Sequence, residues 1–277
     1  MISIVIPTYN RANTITSTLD SIRNQTCTKW QCLIVDDGSD DNTREVVQKY
    51  SDGDARFRYM INERRKGAQG ARNTGILAAK GEWVCLFDSD DIMYEDYIEK
   101  MYYTLEIEKG LCDVVACYAN IRSIQTYQIR GRLDRIQEGR LTKCLLNEQV
   151  YVAFDVCVIR KQKLLDIGLL DEFCPSMQEW DTHISLSKIC SYSMIPEPLC
   201  DWMVGGEDTI TRDEKKHVNG LMYIYSKYRS DFRRYAYHHY LNALCSLWPK
   251  ALRPLSLLRL APELIVYKPL KQLLKYK

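Results

Sequence analysis

Asp88-Ser89-Asp90-Asp91 places three carboxylates within four residues, directly after the apolar run Val84-Cys85-Leu86-Phe87. Like charges this close are costly to hold together unless a cation or hydrogen-bond donors offset them. Their oxygens suit the hard cations Mg2+ and Mn2+, and Mg2+ is typically held by one or two carboxylates plus the phosphates of a substrate. The other reading of the segment is a capped turn leading into a helix that starts near Tyr94. No Walker lysine loop is present, so a P-loop ATPase is not supported. A second acidic pair, Asp36-Asp37, follows the run Gln31–Val35. It could bind ribose hydroxyls or a base N–H, or favour the start of a helix through its dipole. The third segment, Gly67-Ala68-Gln69-Gly70-Ala71-Arg72-Asn73-Thr74-Gly75, is rich in small residues. Small residues let backbone approach a ligand closely, and the guanidinium of Arg72 matches phosphate oxygens. Simple helix–sheet packing with a surface arginine is the alternative. No Gly-x-Gly-x-x-Gly follows the first strand, which argues against nicotinamide or flavin chemistry.

These segments need a scaffold that brings them together, and the first half of the chain has the rhythm of one. Strand-like runs occur at Ile2–Ile6, Gln31–Val35, Arg56–Ile61, Trp83–Phe87 and Asp113–Cys117. The spacing is that of βα units. Between them, Ile15, Leu19 and Ile22 form one helical stripe, and Ser39 to Asn42 offers an N-cap region for a helix running to about Tyr50. Ala71, Gly75 and Ala79 give a third helix a small-residue face. Alternating units imply an α/β fold with a mainly parallel central sheet flanked by helices. Ligands on such sheets bind beyond the carboxyl ends of the strands. Pro7-Thr8-Tyr9-Asn10-Arg11, Asp36–Asp40 and Asp88–Asp91 are then expected to meet along one sheet edge. Beyond about residue 118 the rhythm fades. Residues 120–150 are polar and mixed, Val150–Ile159 reads as a strand, 175–189 begins irregular and turns helical, and from about 213 onward the chain looks helical.

The 277 residues are 46% hydrophobic and 27% charged, ordinary for a globular protein with a full core, and the net charge of +2 gives no sign of a nucleic-acid binder. Eleven cysteines are scattered without a CxxC pair. The chain opens on a strand-like run rather than a secretory leader. We therefore expect reduced, mostly buried thiols and a cytoplasmic location. No apolar run reaches the roughly 18 residues needed to span a bilayer.

Five blocks occur in order: Val5-Ile6-Pro7-Thr8-Tyr9-Asn10-Arg11, Val35–Thr43, Gly70–Ile76, Ala79-Lys80-Gly81-Glu82-Trp83 and Phe87–Asp91. Together they closely resemble the family 2 inverting glycosyltransferases with the GT-A fold, of the kind that build bacterial surface polysaccharides. The resemblance is strong over residues 1–100, moderate to about 205 and weak beyond. It implies a nucleoside-diphosphate-sugar donor, usually a UDP-sugar, and a Mn2+ or Mg2+ cofactor. It places Pro7, Thr8, Tyr9 and Arg11 at the donor, with Thr8 and Tyr9 lining the base pocket. Asp37 would hydrogen-bond the base, with Asp36 close by. Arg72, Asp88 and Ser89 would lie along the donor, and Asp90, with Asp88, would hold the metal.

Inversion also needs a base to take the acceptor proton. In the family it comes from an acidic motif before a helix in the second half, which Met177-Gln178-Glu179-Trp180-Asp181 resembles. Glu179 matches the base position and Asp181 is the fallback. The chain departs from the family at two places. Ser185 and Leu186 stand where relatives often carry Arg, and the loop 204–209 lacks a His that often helps bind metal or diphosphate. His217 lies farther on and is left unassigned. The resemblance and the composition together divide the chain into a nucleotide-sugar-binding half (1–117), an acceptor-binding half of the same domain (118–212) and a helical tail (213–277). Within the tail, residues 245–277 carry seven Lys or Arg and one acid among leucines and aromatics. Such a segment can lie on an anionic membrane surface, here the inner face of the cell membrane with a lipid-linked glycan as acceptor, or can pack back on the domain. Two other functions remain open from the residues: a nucleotide-sugar-binding protein without turnover, and a nucleotidyltransferase. The latter wants a glycine-rich basic loop after the first strand, which Pro7–Arg11 does not supply.

Overall fold

The computed structural model describes residues 1–108, 110–205, 214–247 and 261. The elements run in chain order: β1 (Ile2–Thr8), α1 (Ile15–Arg23), β2 (Trp30–Asp36), α2 (Thr43–Gly53), β3 (Phe57–Ile61), α3 (Ala68–Ala78), β4 (Trp83–Leu86), β5 (Ile92–Met93), α4 (Tyr97–Ile107), β6 (Val114–Ser123), β7 (Ile129–Leu133), α5 (Thr142–Leu146), β8 (Cys157–Arg160), α6 (Lys161–Asp166), α7 (Gln178–Ser187), β9 (Tyr192–Val204), α8 (Glu214–Lys227), α9 (Arg229–Tyr235) and α10 (Tyr237–Leu247).

Among the described residues, all nine strands join one sheet in the order β3-β2-β1-β4-β8-β6-β9-β5, with β7 added on β6. β3, β2, β1 and β4 are parallel neighbours, and β6 runs parallel to β9. β8, β5 and β7 enter antiparallel. Every residue of β1 and all four of β4 are buried, as expected of strands covered on both faces. The five strand-like runs of the first half all form strands. Helix α3 lies close on β1 and β2 because position 75 has no side chain. A Cβ there would stand 2.3 Å from Val5 Cγ1, so the glycine is needed for the approach.

Three expectations about element bounds need correction. The run Val150–Ile159 is a strand only from Cys157, and residues 150–156 reach the sheet as irregular, mostly buried chain. Its apolar character reports burial, which irregular chain shares with strands. No helix begins at Tyr94; Ile92 and Met93 first pair with β9, and α4 starts at Tyr97. Ala79 lies just past the end of α3, at its C-cap. The boundary set at 117/118 falls inside β6, which pairs with β9 from Val114 to Ser123, so one sheet carries residues from both sides of it.

The C-terminal helices dock through aromatics. Trp180 of α7 meets Tyr225 and Phe232 edge-on, each at 5.9 Å between ring centroids, and Tyr240 stacks on Phe232 at 5.5 Å. Tyr225, Phe232 and Tyr240 are fully buried, each contributing on the order of 2 kcal/mol by burial. Among the described residues, which include all eleven cysteines, no disulfide forms, and no helix is long and apolar enough to cross a membrane. The tail at 248–260 and 262–277 lies outside the described residues.

Candidate functional site

The parallel pairing of β2, β1 and β4 sets the ends of three strands side by side, and the polar segments that follow them line one edge of the sheet. At the end of β1, Thr8 is 3% exposed and its hydroxyl has no hydrogen-bond partner among the described residues. A buried hydroxyl without a partner is costly, and here it lies at the carboxyl edge where a ligand would approach. Tyr9 is 45% exposed, with Lys66 Nζ 4.7 Å from its ring centroid. Pro7 continues the buried strand, and the Arg11 main-chain N–H donates to Thr43 Oγ1 at 2.8 Å.

The acidic pair after β2 splits into two roles. Asp36 is buried, and both its oxygens are used. Oδ1 accepts from the Gly38 and Ser39 N–H groups and the Ser39 hydroxyl, and Oδ2 accepts from the Tyr59 hydroxyl at 2.7 Å. Asp37 is only half-buried. It accepts one bond on each oxygen, from Asn62 Nδ2 at 2.6 Å and from the Gly67 N–H at 2.7 Å. A carboxylate has room for further donors, so Asp37 is the member of the pair that can still take a ligand. Asp36 builds the turn that carries it.

Arg72, on α3, is 4% exposed. It donates to Gln69 Oε1 at 2.8 Å and pairs with Asp88 through Nη2, its guanidinium carbon lying 4.8 Å from the Phe154 ring centroid. Its Nε has no partner among the described residues. Burial alone would push its pKa down, but Asp88 and Glu179 hold the charge in place.

At the end of β4 the four residues diverge. Asp88 and Asp90 keep some exposure, while Ser89 and Asp91 are buried. Asp91 accepts the Met203 N–H at 2.7 Å on Oδ1, and its Oδ2 is buried without a partner among the described residues. A fourth carboxylate joins from far along the chain: Asp155, 3% exposed, accepts the Asp88 N–H at 2.6 Å. Oxygens of Asp88, Asp91 and Asp155 all lie within 4.8 Å of one another. Burial pushes Asp91 and Asp155 well above the usual carboxylate range, and neighbouring acids push them further. Burial also raises Asp90, with Asp88 adding to it and Arg11 opposing it. Hard oxygen donors, mutual repulsion and an unpartnered buried oxygen are what a divalent cation would satisfy, so the donor set fits Mn2+ or Mg2+. Asp90 lies outside that three-residue cluster, though its field is felt by both Asp91 and Asp155.

Helix α7 brings Glu179 to this edge. Burial raises its pKa, Arg72 opposes the rise and Asp88 adds to it, so Glu179 faces the same charges as the rest of the site. Asp181, two residues on, faces elsewhere: it is buried and pairs with Lys227 of α8 at 2.8 Å. Ser185 pairs with the Tyr228 hydroxyl at 2.7 Å. His217 lies on α8, and the loop at 206–213 is outside the described residues.

Asp155 was missed because it sits in an apolar run. A lone acid inside such a run is the available signal, since a buried carboxylate needs a partner. Tyr151 was missed as well. It stacks on Trp202 at 6.2 Å and feels Glu179, Asp155 and Asp88. A separate cavity of about 360 Å3 lies behind α7, lined in part by Arg64, Asp171, Glu172, Asp181 and Lys227. Its charged groups are already paired with one another.

Comparison with known proteins agrees with this geometry. A sequence profile described as Glycosyl transferase family 2 matches residues 3–168. The Escherichia coli protein UDP-Glc:alpha-D-GlcNAc-diphosphoundecaprenol beta-1,3-glucosyltransferase WfgD is 35% identical over 147 residues, covering 53% of this chain and 56% of that protein. The chain thus matches little more than half the length of this relative. Among solved structures, S. aureus TarS 1-349 in complex with UDP-GlcNAc superposes with a TM-score of 0.66 at 16% identity, covering 95% of this chain and 71% of that one. The mannosyltransferase PcManGT from Pyrobaculum calidifontis, in complex with GDP-Man and Mn2+, gives 0.63 at 17% identity, covering 98% and 82%. These structures share the fold, and the profile covers more than half of the sequence: this chain belongs to glycosyl transferase family 2.

Proposed function

We propose that this chain transfers a sugar, with inversion, from a nucleoside-diphosphate donor to a glycan or lipid-linked glycan acceptor in polysaccharide biosynthesis. A UDP-sugar is the favoured donor. The observation that carries the reading is the convergence of Arg72, Asp88 and Glu179 on the edge where β1, β2 and β4 end. Support also comes from the relative named for a UDP-Glc-dependent transfer onto a diphosphoundecaprenol-linked sugar and from the neighbour complexed with UDP-GlcNAc.

In this reading Tyr9 and Thr8 receive the base, Asp37 accepts its N–H, and Arg11, Arg72 and Ser89 line the diphosphate. Asp88 and Asp90, the partly exposed acids of their segment, would hold a divalent cation together with donor phosphates. Asp91 and Asp155 would add the buried oxygens that lie within 4.8 Å of Asp88. When bound, such a cation would offset the negative charge that builds on a departing diphosphate. Glu179 takes the proton from the acceptor hydroxyl as its oxygen attacks the anomeric carbon. Its raised pKa suits a group that must hold that proton. Asp181, already bound to Lys227, is the weaker candidate. The half from 118 to 212 would select the acceptor. The basic, apolar sequence of 245–277 supports contact with an anionic membrane surface at the cytoplasmic face.

The test is thermal stabilisation by UDP- and GDP-sugars with and without Mn2+. A donor that raises Tm only with Mn2+ supports the reading, because ligand binding to the native state stabilises it. Stabilisation by no nucleotide sugar under either condition would refute it.

A further inference from the structure

Helix α7 has an unsupported start. Met177, just before it, has φ of 60°, and no side chain among the described residues caps the first turn. A non-glycine residue in the left-handed region persists only where its surroundings hold it there. Glu179 sits in that first turn, so something outside α7 must fix where the carboxylate points.

Helix α8 does this along its length. Near its start, Ser176 Oγ donates to the Lys216 carbonyl at 3.0 Å. One turn on, α8 touches the same loop backbone to backbone: a Cβ on Gly220 would stand 2.0 Å from Ser176 Oγ and 2.9 Å from the Ser176 carbonyl oxygen. The Tyr223 hydroxyl donates to Asp171 at 2.7 Å. Lys227 Nζ bridges Asp171 at 2.6 Å and Asp181 at 2.8 Å. The Tyr228 hydroxyl, just beyond the helix, donates to the Asp181 carbonyl at 2.9 Å. Asp181 is buried, and a buried carboxylate without its cation is strongly unfavourable. The lysine is therefore tied to the turn that carries Glu179.

We propose that α8 is a splint for the catalytic base, with Lys227 and Tyr228 as positioning residues that hold the first turn of α7 so that Glu179 faces Arg72 and Asp88. The proposal rests on the reading of Glu179 as the base. It makes a helix beyond the family-matched residues 3–168 necessary for turnover. The donor-side residues, on β1, β2 and α3, are not touched by α8 in any of these contacts, so loss of the splint should change the rate of the chemical step and leave donor binding alone.

The test uses the full chain as wild type, Lys227→Met, Lys227→Arg and Tyr228→Phe. Two quantities are measured: hydrogen exchange of the amides of 181–185, and steady-state release of UDP from UDP-glucose and UDP-N-acetylglucosamine with Mn2+, water serving as acceptor. For Lys227→Met we expect exchange about tenfold faster, kcat about tenfold lower, and donor KM within about twofold, since a group that acts only in the transition state lowers kcat without weakening ground-state binding. Tyr228→Phe should move the same way by a smaller factor, and Lys227→Arg should recover most of the rate. Unchanged exchange, an unchanged kcat, or a rise in KM matching the loss would overturn the splint. If Lys227→Met does not fold, Tyr228→Phe decides by the same criteria. If the wild type releases no UDP from either donor, exchange alone decides whether α8 holds the turn, and the transfer reading stands or falls by the Tm test with nucleotide sugars.

Discussion

Replacing Arg72 with Met removes the positive charge that holds the site acids together, and the structure sets the size of the effect. Arg72 is buried and paired with Asp88, and its field also lowers Glu179, Asp155 and Asp90. Breaking a buried pair by removing one partner costs about 3–5 kcal/mol. At about 2–4 °C per kcal/mol for a domain of this size, the loss in Tm is roughly 6–20 °C. The loss should also depend on pH. In the wild type, burial already raises Glu179, Asp155 and Asp90. A carboxylate with a folded pKa above its unfolded value contributes stability that is present below the unfolded pKa and lost as pH rises through the folded one. Without Arg72 those folded values rise further, so the deficit of the variant should be larger at pH 8 than at pH 5. Comparing variant with wild type cancels His183, which burial lowers to about 3 in both. Mn2+ should stabilise the variant more than the wild type, because the cation offsets the same repulsion. The assay is thermal unfolding at both pH values, with and without Mn2+. An equal deficit at pH 5 and pH 8, together with no extra gain from Mn2+, would show that the acids do not share one field and would refute the reasoning.

Other outcomes follow from single contacts. Glu179→Gln should reduce transfer by about 10²–10⁴-fold, the usual contribution of a general base, while Tm shifts with a donor and Mn2+ persist; loss of donor binding would reassign the residue. Gly75→Ala should destabilise by about 1–3 kcal/mol by overpacking, read as a lower denaturant midpoint, since its Cβ would lie 2.3 Å from Val5 Cγ1. His183, fully buried against Tyr192, should show flat imidazole NMR shifts from pH 8 to pH 5. Its folded pKa lies below the unfolded one, so it costs stability as pH falls from about 6.5 towards 3. A shift midpoint near 6.5 would contradict its burial.

The sequence by itself determined the alternating strands and helices of the first half, and with them the edge on which Thr8, Asp37 and Asp88 meet. Apolar periodicity is written into local order, and parallel βα units leave little freedom in where their strand ends go. It could not separate Asp36 from Asp37, or Glu179 from Asp181, because neighbours in sequence look alike until their partners are known. Those partners are distant: Tyr59 for Asp36, Lys227 for Asp181, and the Asp88 main chain for Asp155, 67 residues away. Only tertiary packing brought them together, and burial then decided the role of each acid. A carboxylate shut in with its donors shapes the site, while one left partly open can meet a substrate.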